Sequence, residues 1–349
     1  MKRERLESKD RLSALPDCIL LLILSFLSSE RAVQTCILSP RWNHLWKCLP
    51  TLRLNSFNFK YFKDFTPLVT LILSLRDNST ALHTLTVYRD GGVQPRLLKR
   101  VINYGISHNV QHLDIYVSCN IQHFPRTLFS SHTLTSLKLL HPNFYIIREQ
   151  FPYSLNLPSL TELHLHAFAF PVGDDGHVEP FSTLHKLNTL IIDDCHLQNL
   201  CILSTSLARL TIVTRDNPPD ACCEIELSTP NLCIFSFIGS PFHKLYGIKS
   251  NLSSIKHIDI DLSLMLNSTK CSLFLLNCLV ELVNVKSITV SSPTLQVLYG
   301  IFDLFKIHLP SLCKMKSLKV KKKQSSFIPD LLVEFLLQNS PSTKVDIID

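Results

Sequence analysis

The chain has 349 residues, 46% of them hydrophobic and 18% charged, and its 35 basic and 28 acidic side chains leave a formal net charge of +7 at pH 7. So apolar a composition belongs to a folded, core-rich protein and excludes a disordered one. The charge excess is small beside the clustered basic face of a dedicated nucleic-acid binder, so no nucleic acid is expected as a partner. Twelve cysteines occur without one Cys-x-x-Cys, which argues against zinc or dithiol chemistry and for small buried thiols kept reduced.

Residues 1–11 are charged, and the basic cluster Lys2, Arg3 and Arg5 is diluted by acids, so the segment reads as a solvated terminus. A signal peptide is interrupted by Glu7, Asp10 and the Pro16-Asp17 pair. Unbroken apolarity runs only from Cys18 to Leu24, far short of the ~18 residues that a membrane span needs. Neither secretion nor a membrane is therefore expected, and the sequons at Asn78, Asn251 and Asn267 are set aside.

A first helix should begin at Pro16 and Asp17, where proline gives up no needed N–H and the acid suits the helix dipole, and run to Leu27. It is apolar all round, so it must be covered on more than one side by the rest of the chain or by a partner. Ser29 reads as the cap of a second helix that carries Val33, Cys36 and Ile37 on one face. Ser39 and Pro40 read as the cap and first residue of a third helix, which gathers Trp42, Leu45 and Trp46. Both tryptophans of the chain fall there, a concentration of binding surface.

The pattern Leu12-Ser-x-Leu15-Pro16-Asp17-x-Ile19-Leu20-x-x-Ile23-Leu24-Ser25-Phe26-Leu27, then Ala32-Val33-x-Thr35-x-x-Leu38-Ser39-x-Arg41-Trp42-x-x-Leu45-Trp46, resembles the F-box of the large plant F-box/leucine-rich-repeat family. Pro40 departs from the basic or polar residue usual there, at a helix start where proline does no harm. The resemblance implies a three-helix F-box over residues 8–50. It also implies that this module binds the Skp-family adaptor of an SCF-type cullin-RING ubiquitin ligase through Leu12, Leu15, Pro16, Ile19, Leu20, Ile23, Leu24 and the Trp42/Trp46 helix.

Beyond residue 50 the texture becomes a recurring L-x-x-L-x-L. Its middle residues are Leu85, Leu113, Leu137, Leu163, Leu190, Leu210, Phe235, Ile258, Ile288 and Leu318, at intervals of 28, 24, 26, 27, 20, 25, 23, 30 and 30. These are close to the spacing of leucine-rich repeats, and Cys195 with Leu197 completes the longer consensus after Leu190 and Ile192. Alternation makes each L-x-L a short strand with one face inward, and since one unit cannot bury that face alone, neighbours stack in parallel.

The expected fold is therefore α/β, a small three-helix module followed by a curved solenoid of parallel strands over residues 51–316, with Leu52 and Leu54 in a first, imperfect strand. Loops such as Pro171 to Pro180 and Arg215 to Ala221 predict an uneven return side with helices short or absent in places. Residues 317–349 read as a capping segment: a last strand, a helix from Ile328 to Asn339 and an edge strand from Lys344 to Ile348. The closing segment resembles that of the same family more loosely than the F-box does.

In each strand the residues beside the middle leucine point away from the core. This row includes Thr84, Thr86, Tyr116, Ser136, Lys138, Thr189, Thr211 and Asp261. Its candidate target contacts are His112, Asp114, Glu162, His164, His166, Asp193, Arg209, His257 and Asp259, centred on Glu162 to Arg209.

Catalytic motifs are missing. Only eight glycines occur, and none forms a phosphate cradle or a nucleophile elbow. His164 with His166 lacks a third metal ligand, Asp174-Asp175-Gly176 reads as a turn, and the lysines at 314, 316, 319, 321, 322 and 323 read as a solvated strand and loop. No catalytic residue, metal or cofactor is expected. The reading is a non-catalytic substrate receptor in the cytoplasm, the nucleus or both, holding an unidentified target protein for ubiquitination. A leucine-rich-repeat scaffold without ligase association is the alternative, separated from it by whether an adaptor co-purifies. A secreted recognition protein would instead require N-terminal cleavage and oxidised cysteines.

Overall fold

Period-two burial organises the chain from residue 51 onward. The structure, a computed structural model, describes residues 12, 14–56, 62–141, 149–151, 155–170, 178–196, 200–214, 223–239, 243–247, 252–262, 275–276, 279, 284–303, 314–323, 326–338, 340–341 and 343–348. Residues 1–11, Leu197, Asn251, Asn267, the Asp174-Asp175-Gly176 turn and most of the loops at 171–180 and 215–221 lie outside them. The chain forms two compact units, Met1–Leu128 and Phe129–Asp349.

The first unit holds α1 (Asp17–Ser25), α2 (Ser29–Gln34), α3 (Trp42–Leu45), β1 (Thr51–Asn55), α4 (Phe62–Leu75), β2 (Thr84–Gly92), α5 (Pro95–Ser107) and β3 (His112–Ser118). β1, β2 and β3 pair in parallel with Leu52, Leu85 and Leu113 in register, so the imperfect strand foreseen at Leu52 and Leu54 is the first of the ladder. The predicted caps shift. Pro16 occupies the N-cap of α1 rather than its first turn, and α2 is capped by Ser28 while Ser29 is already helical. α3 lasts four residues and tightens into a 3-10 turn at Trp46–Cys48, entered through bonds from Trp42 N–H to Ser39 O and from Asn43 N–H to Pro40 O. Buried Arg76, at the end of α4, donates to Leu49 O, Thr80 O and Ala81 O and to the Tyr104 hydroxyl, which joins the segments leading into β1 and β2 to α5.

The second unit holds β4 (Ser136–Leu140), β5 (Glu149–Gln150), β6 (Glu162–His166), β7 (Phe168–Ala169), β8 (Thr189–Asp193), β9 (Leu200–Leu203), β10 (Arg209–Thr214), β11 (Cys223–Ser228), β12 (Ile234–Gly239), β13 (His243–Gly247), β14 (His257–Leu262), β15 (Ser287–Ser291), α6 (Ser292–Tyr299), β16 (Ser317–Lys321), α7 (Asp330–Gln338) and β17 (Lys344–Ile348). β4, β6, β8, β10, β12, β14, β15, β16 and β17 pair in parallel in that order. Their middle residues Leu137, Leu163, Leu190, Leu210, Phe235, Ile258, Ile288 and Leu318 share one register. The leading leucines Leu134, Leu160, Leu187, Leu207 and Leu232 are completely buried, which makes this a stack of leucine-rich repeats.

On the return side the chain forms strands where the spacing predicts short or absent helices: β5 pairs with β7, and β9, β11 and β13 form a second parallel ladder. Cys195 closes the turn between the two sides. Its sulfur accepts from Phe168 N–H and donates to Asp193 O, the service for which the consensus keeps a small polar group at that step. α7 buries Leu332 and Leu336, and β17 pairs with β16 as its outer neighbour.

The end of β12 admits only glycine. Gly239 has φ +112°, and a Cβ there would stand 1.7 Å from the Thr214 carbonyl oxygen on β10. The backbone strain alone is worth ~1–3 kcal/mol, so Gly239→Ala should lower the urea midpoint clearly, by at least that amount of stability. An unchanged midpoint would contradict the β10–β12 register.

Candidate functional site

The all-apolar first helix divides into two faces. Leu20 and Leu24 are fully buried, and α1 packs against α3 and the turn after it, where Trp42, Leu45 and Trp46 are buried as well. Ile19, Leu22, Ile23 and Phe26, at i, i+3, i+4 and i+7, form the other face and are 40, 54, 37 and 72% exposed. Leu12, Ile37 and Leu38 are exposed too, as is Pro16, while Leu15 is half-buried. The sequence-based docking set is thereby corrected. Leu12, Leu15, Pro16, Ile19 and Ile23 can reach a partner, whereas Leu20, Leu24, Trp42 and Trp46 form the core of the module itself. A helix with no polar stripe carries no sign of its rotational phase, which is why Leu22 and Phe26 were missed. The tryptophans are buried because so small a module has little else with which to fill its interior.

Two devices hold this face in place. Arg41 donates from Nε and Nη2 to Asp17 Oδ1 at 2.8 and 2.5 Å, and from Nη2 to Leu15 O at 2.7 Å, fixing the start of α1. α2 lies along the edge of β1, where Ser29 Oγ accepts from Arg53 N–H at 2.9 Å and Glu30 Oε1 accepts from Asn55 N–H at 3.1 Å. Glu30 and Ser29 are both buried. Side chains of the helical module thus satisfy edge donors that a repeat strand would otherwise leave open.

Each unit has an outward strand face of its own. In the first, His112 is exposed and Asp114 half-buried, and Tyr88 stacks on Tyr116 with ring centroids 4.2 Å apart. In the second, Arg209 and His257 are exposed and Glu162, His164 and Asp259 are half-buried. Glu162 faces Lys138 at 3.6 Å and accepts from Ser136 Oγ, and Asp259 takes the Lys321 ammonium at 2.9 and 2.8 Å.

His166 and Asp193, also predicted as contacts, are only 5 and 7% exposed. The backbone turns left-handed directly after each of them, through Ala167 at φ 63° and Asp194 at φ 51°, and Ala167 N–H donates to Asp193 O while Asp194 N–H donates to Val213 O. Residues outside the predicted set share the outward side: Ile191, Val213, Ile234 and Ile238 are half-buried at outward register positions of β8, β10 and β12. Strict alternation assigns them there, but in runs such as Ile234-Phe-Ser-Phe-Ile238 they look like core.

No protein-family model matches the sequence. Curated relatives do. An F-box/FBD/LRR-repeat protein of Arabidopsis thaliana is 29% identical over 291 residues, covering 75% of this chain and 65% of its own length. An F-box/LRR-repeat protein of the same plant is 29% identical over 315 residues, 83% of this chain and 64% of its own. F-box/LRR-repeat protein 13, also from Arabidopsis thaliana, is 27% identical over 312 residues. The chain is a relative of the plant F-box/leucine-rich-repeat proteins. It spans just under two thirds of the length of the first two.

Among the described residues of this F-box/leucine-rich-repeat relative, Cys201 is a strongly perturbed thiol. Cys201 is pushed up to about 11, first by burial and then by the Glu226 and Glu179 carboxylates. That is the reverse of an activated nucleophile, whose pKa must fall. Among the described residues no group of three or more His, Cys, Asp or Glu side chains is placed to hold a metal, and no helix is long and apolar enough to cross a membrane. With a thiol reagent at pH 8, exposed Cys18 should react in the folded chain while Cys201 stays unmodified until denaturant is added; early labelling of Cys201, located by mass spectrometry, would refute the packing of β9 against β11.

Proposed function

We propose that the chain is the substrate-recognition subunit of an SCF-type cullin-RING E3 ubiquitin ligase, acting in the cytoplasm or nucleus. The F-box face of α1 takes a Skp-family adaptor and the strands take a target protein. The observation that carries this reading is the exposed stripe Ile19, Leu22, Ile23 and Phe26 on a helix anchored by fully buried Leu20 and Leu24. Four large apolar side chains at helical spacing on the surface of a small module are what an interface needs and what solubility opposes. The names of the relatives support it, each carrying both F-box and LRR-repeat.

In this role the chain contributes no chemistry of its own. It raises the effective concentration of a target lysine near a conjugating enzyme, and the acceleration comes from proximity. Holding the module against β1 through Ser29 and Glu30 serves that task, since a receptor that positions a target needs a firm join between adaptor-binding helices and the first repeat strand.

Co-expression with a Skp-family adaptor tests the proposal. Each stripe residue desolvated on docking contributes ~1.5–3 kcal/mol, so Ile23→Ala with Phe26→Ala should weaken adaptor binding by about a hundredfold or more while the melting temperature stays near that of the wild type. Wild-type chain that never co-purifies with the adaptor, or a double variant that binds as well as wild type, would leave a repeat scaffold without ligase association. A subtler effect belongs to Arg41: its pair with Asp17 is largely exposed and adds at most ~1 kcal/mol to stability. Arg41→Ala should therefore leave the unfolding midpoint almost unchanged and still lower adaptor affinity, because the Leu15–Asp17 corner is no longer fixed.

A further inference from the structure

One residue separates the first leucine of each repeat from its strand, and the backbone links these residues from one repeat to the next. Lys286 N–H donates to Lys256 O at 2.8 Å and Lys316 N–H donates to Lys286 O at 2.8 Å. Three lysines spaced 30 residues apart in sequence therefore stand at the N-terminal ends of the neighbouring strands β14, β15 and β16, at the ~4.8 Å strand spacing. The same step in the preceding repeats is neutral: Asn188, Ala208 and Cys233. All three lysines are exposed and none has an ion-pair partner among the described residues.

Two contrasts set this rim apart from an ordinary solvated surface. At the other end of the same strands two of the lysines are neutralised, Lys321 by Asp259 and Lys323 by Asp261. At the rim, the described residues of 253–257, 284–287, 314–317 and 340–344 include no Asp or Glu. Like charges on adjacent strands repel, and an anion bound along the row would relieve that repulsion.

We propose that the N-terminal edge of β14–β16 docks an acidic segment, rich in Asp or Glu, of a protein partner. A carboxylate-rich peptide fits better than a nucleic acid. Among its described residues the rim has no Phe, Tyr or Trp on which a base could stack, the contact that a single-stranded nucleic acid would need beyond charge. The proposal rests on the receptor reading only in naming that partner as the target.

The test uses the full chain and a fluorescein-labelled oligoglutamate, followed by anisotropy over a salt series. Binding should weaken as salt rises, Lys256→Glu/Lys286→Glu/Lys316→Glu should lose roughly tenfold or more in affinity, and the corresponding triple Lys→Arg variant should retain it. Unchanged melting confirms that the variants are folded, and if the Glu variant does not fold, a triple Lys→Gln variant gives the same comparison. Wild-type chain that does not bind, a charge-reversed variant that binds equally well, or tighter capture of an oligothymidylate of equal charge would each overturn the proposal. No adaptor is present in this assay, so a failed rim leaves the F-box reading untouched. A chain that binds oligoglutamate but no adaptor removes the ligase reading alone.

Discussion

A strand of the form L-x-L cannot bury its leucines alone, only in company with its neighbours, and the structure follows from that constraint. The second unit meets it by repetition, each middle residue from Leu137 to Leu318 sitting in register with its neighbours. In the first unit the ladder must also begin. The donors of Arg53 and Asn55 face outward from β1, and the chain answers them with Ser29 and Glu30 of α2. One helix thus ends the exposed sheet edge and ties α1, with its outward stripe, to the first strand. Stability and presentation of the docking face share the same few hydrogen bonds.

The repeat was legible in the sequence because the period of burial equals the period of the pattern: every middle leucine of L-x-x-L-x-L that is described proved to be a core strand residue. The helical module was legible as a module but not in phase. A run such as Ile19-Leu-Leu-Leu-Ile-Leu24 contains no polar residue to mark which side meets water, so Leu20 and Leu24 were expected at a surface they do not reach. His166 and Asp193 were misplaced for another reason. The turns at Ala167 and Asp194 use left-handed backbone without glycine, and of the two only the aspartate is a residue type that favours it. Lys256, Lys286 and Lys316 look unrelated along the chain, and only the register of β14–β16 makes them a group.

Charge on the second unit is sorted rather than spread. Glu162 with Lys138, Asp259 with Lys321 and Asp261 with Lys323 neutralise one another on the strand face, so that face presents half-buried aliphatic residues such as Ile191 and Val213 among self-satisfied pairs. Exposed ion pairs of this kind add little stability. Their consequence is for recognition, because they remove acidic charge from the face and leave the rim as a basic boundary.

The central claim is that α1 presents its outward stripe to an adaptor while the strands remain available for a target. Hydrogen–deuterium exchange with and without a purified Skp-family adaptor addresses it most directly. The account predicts added protection within Leu15 to Leu38, where the stripe and the exposed Ile37 and Leu38 lie, and unchanged exchange in β4 through β17. Protection confined to the repeat strands, or none at α1 with the adaptor in excess, would contradict it.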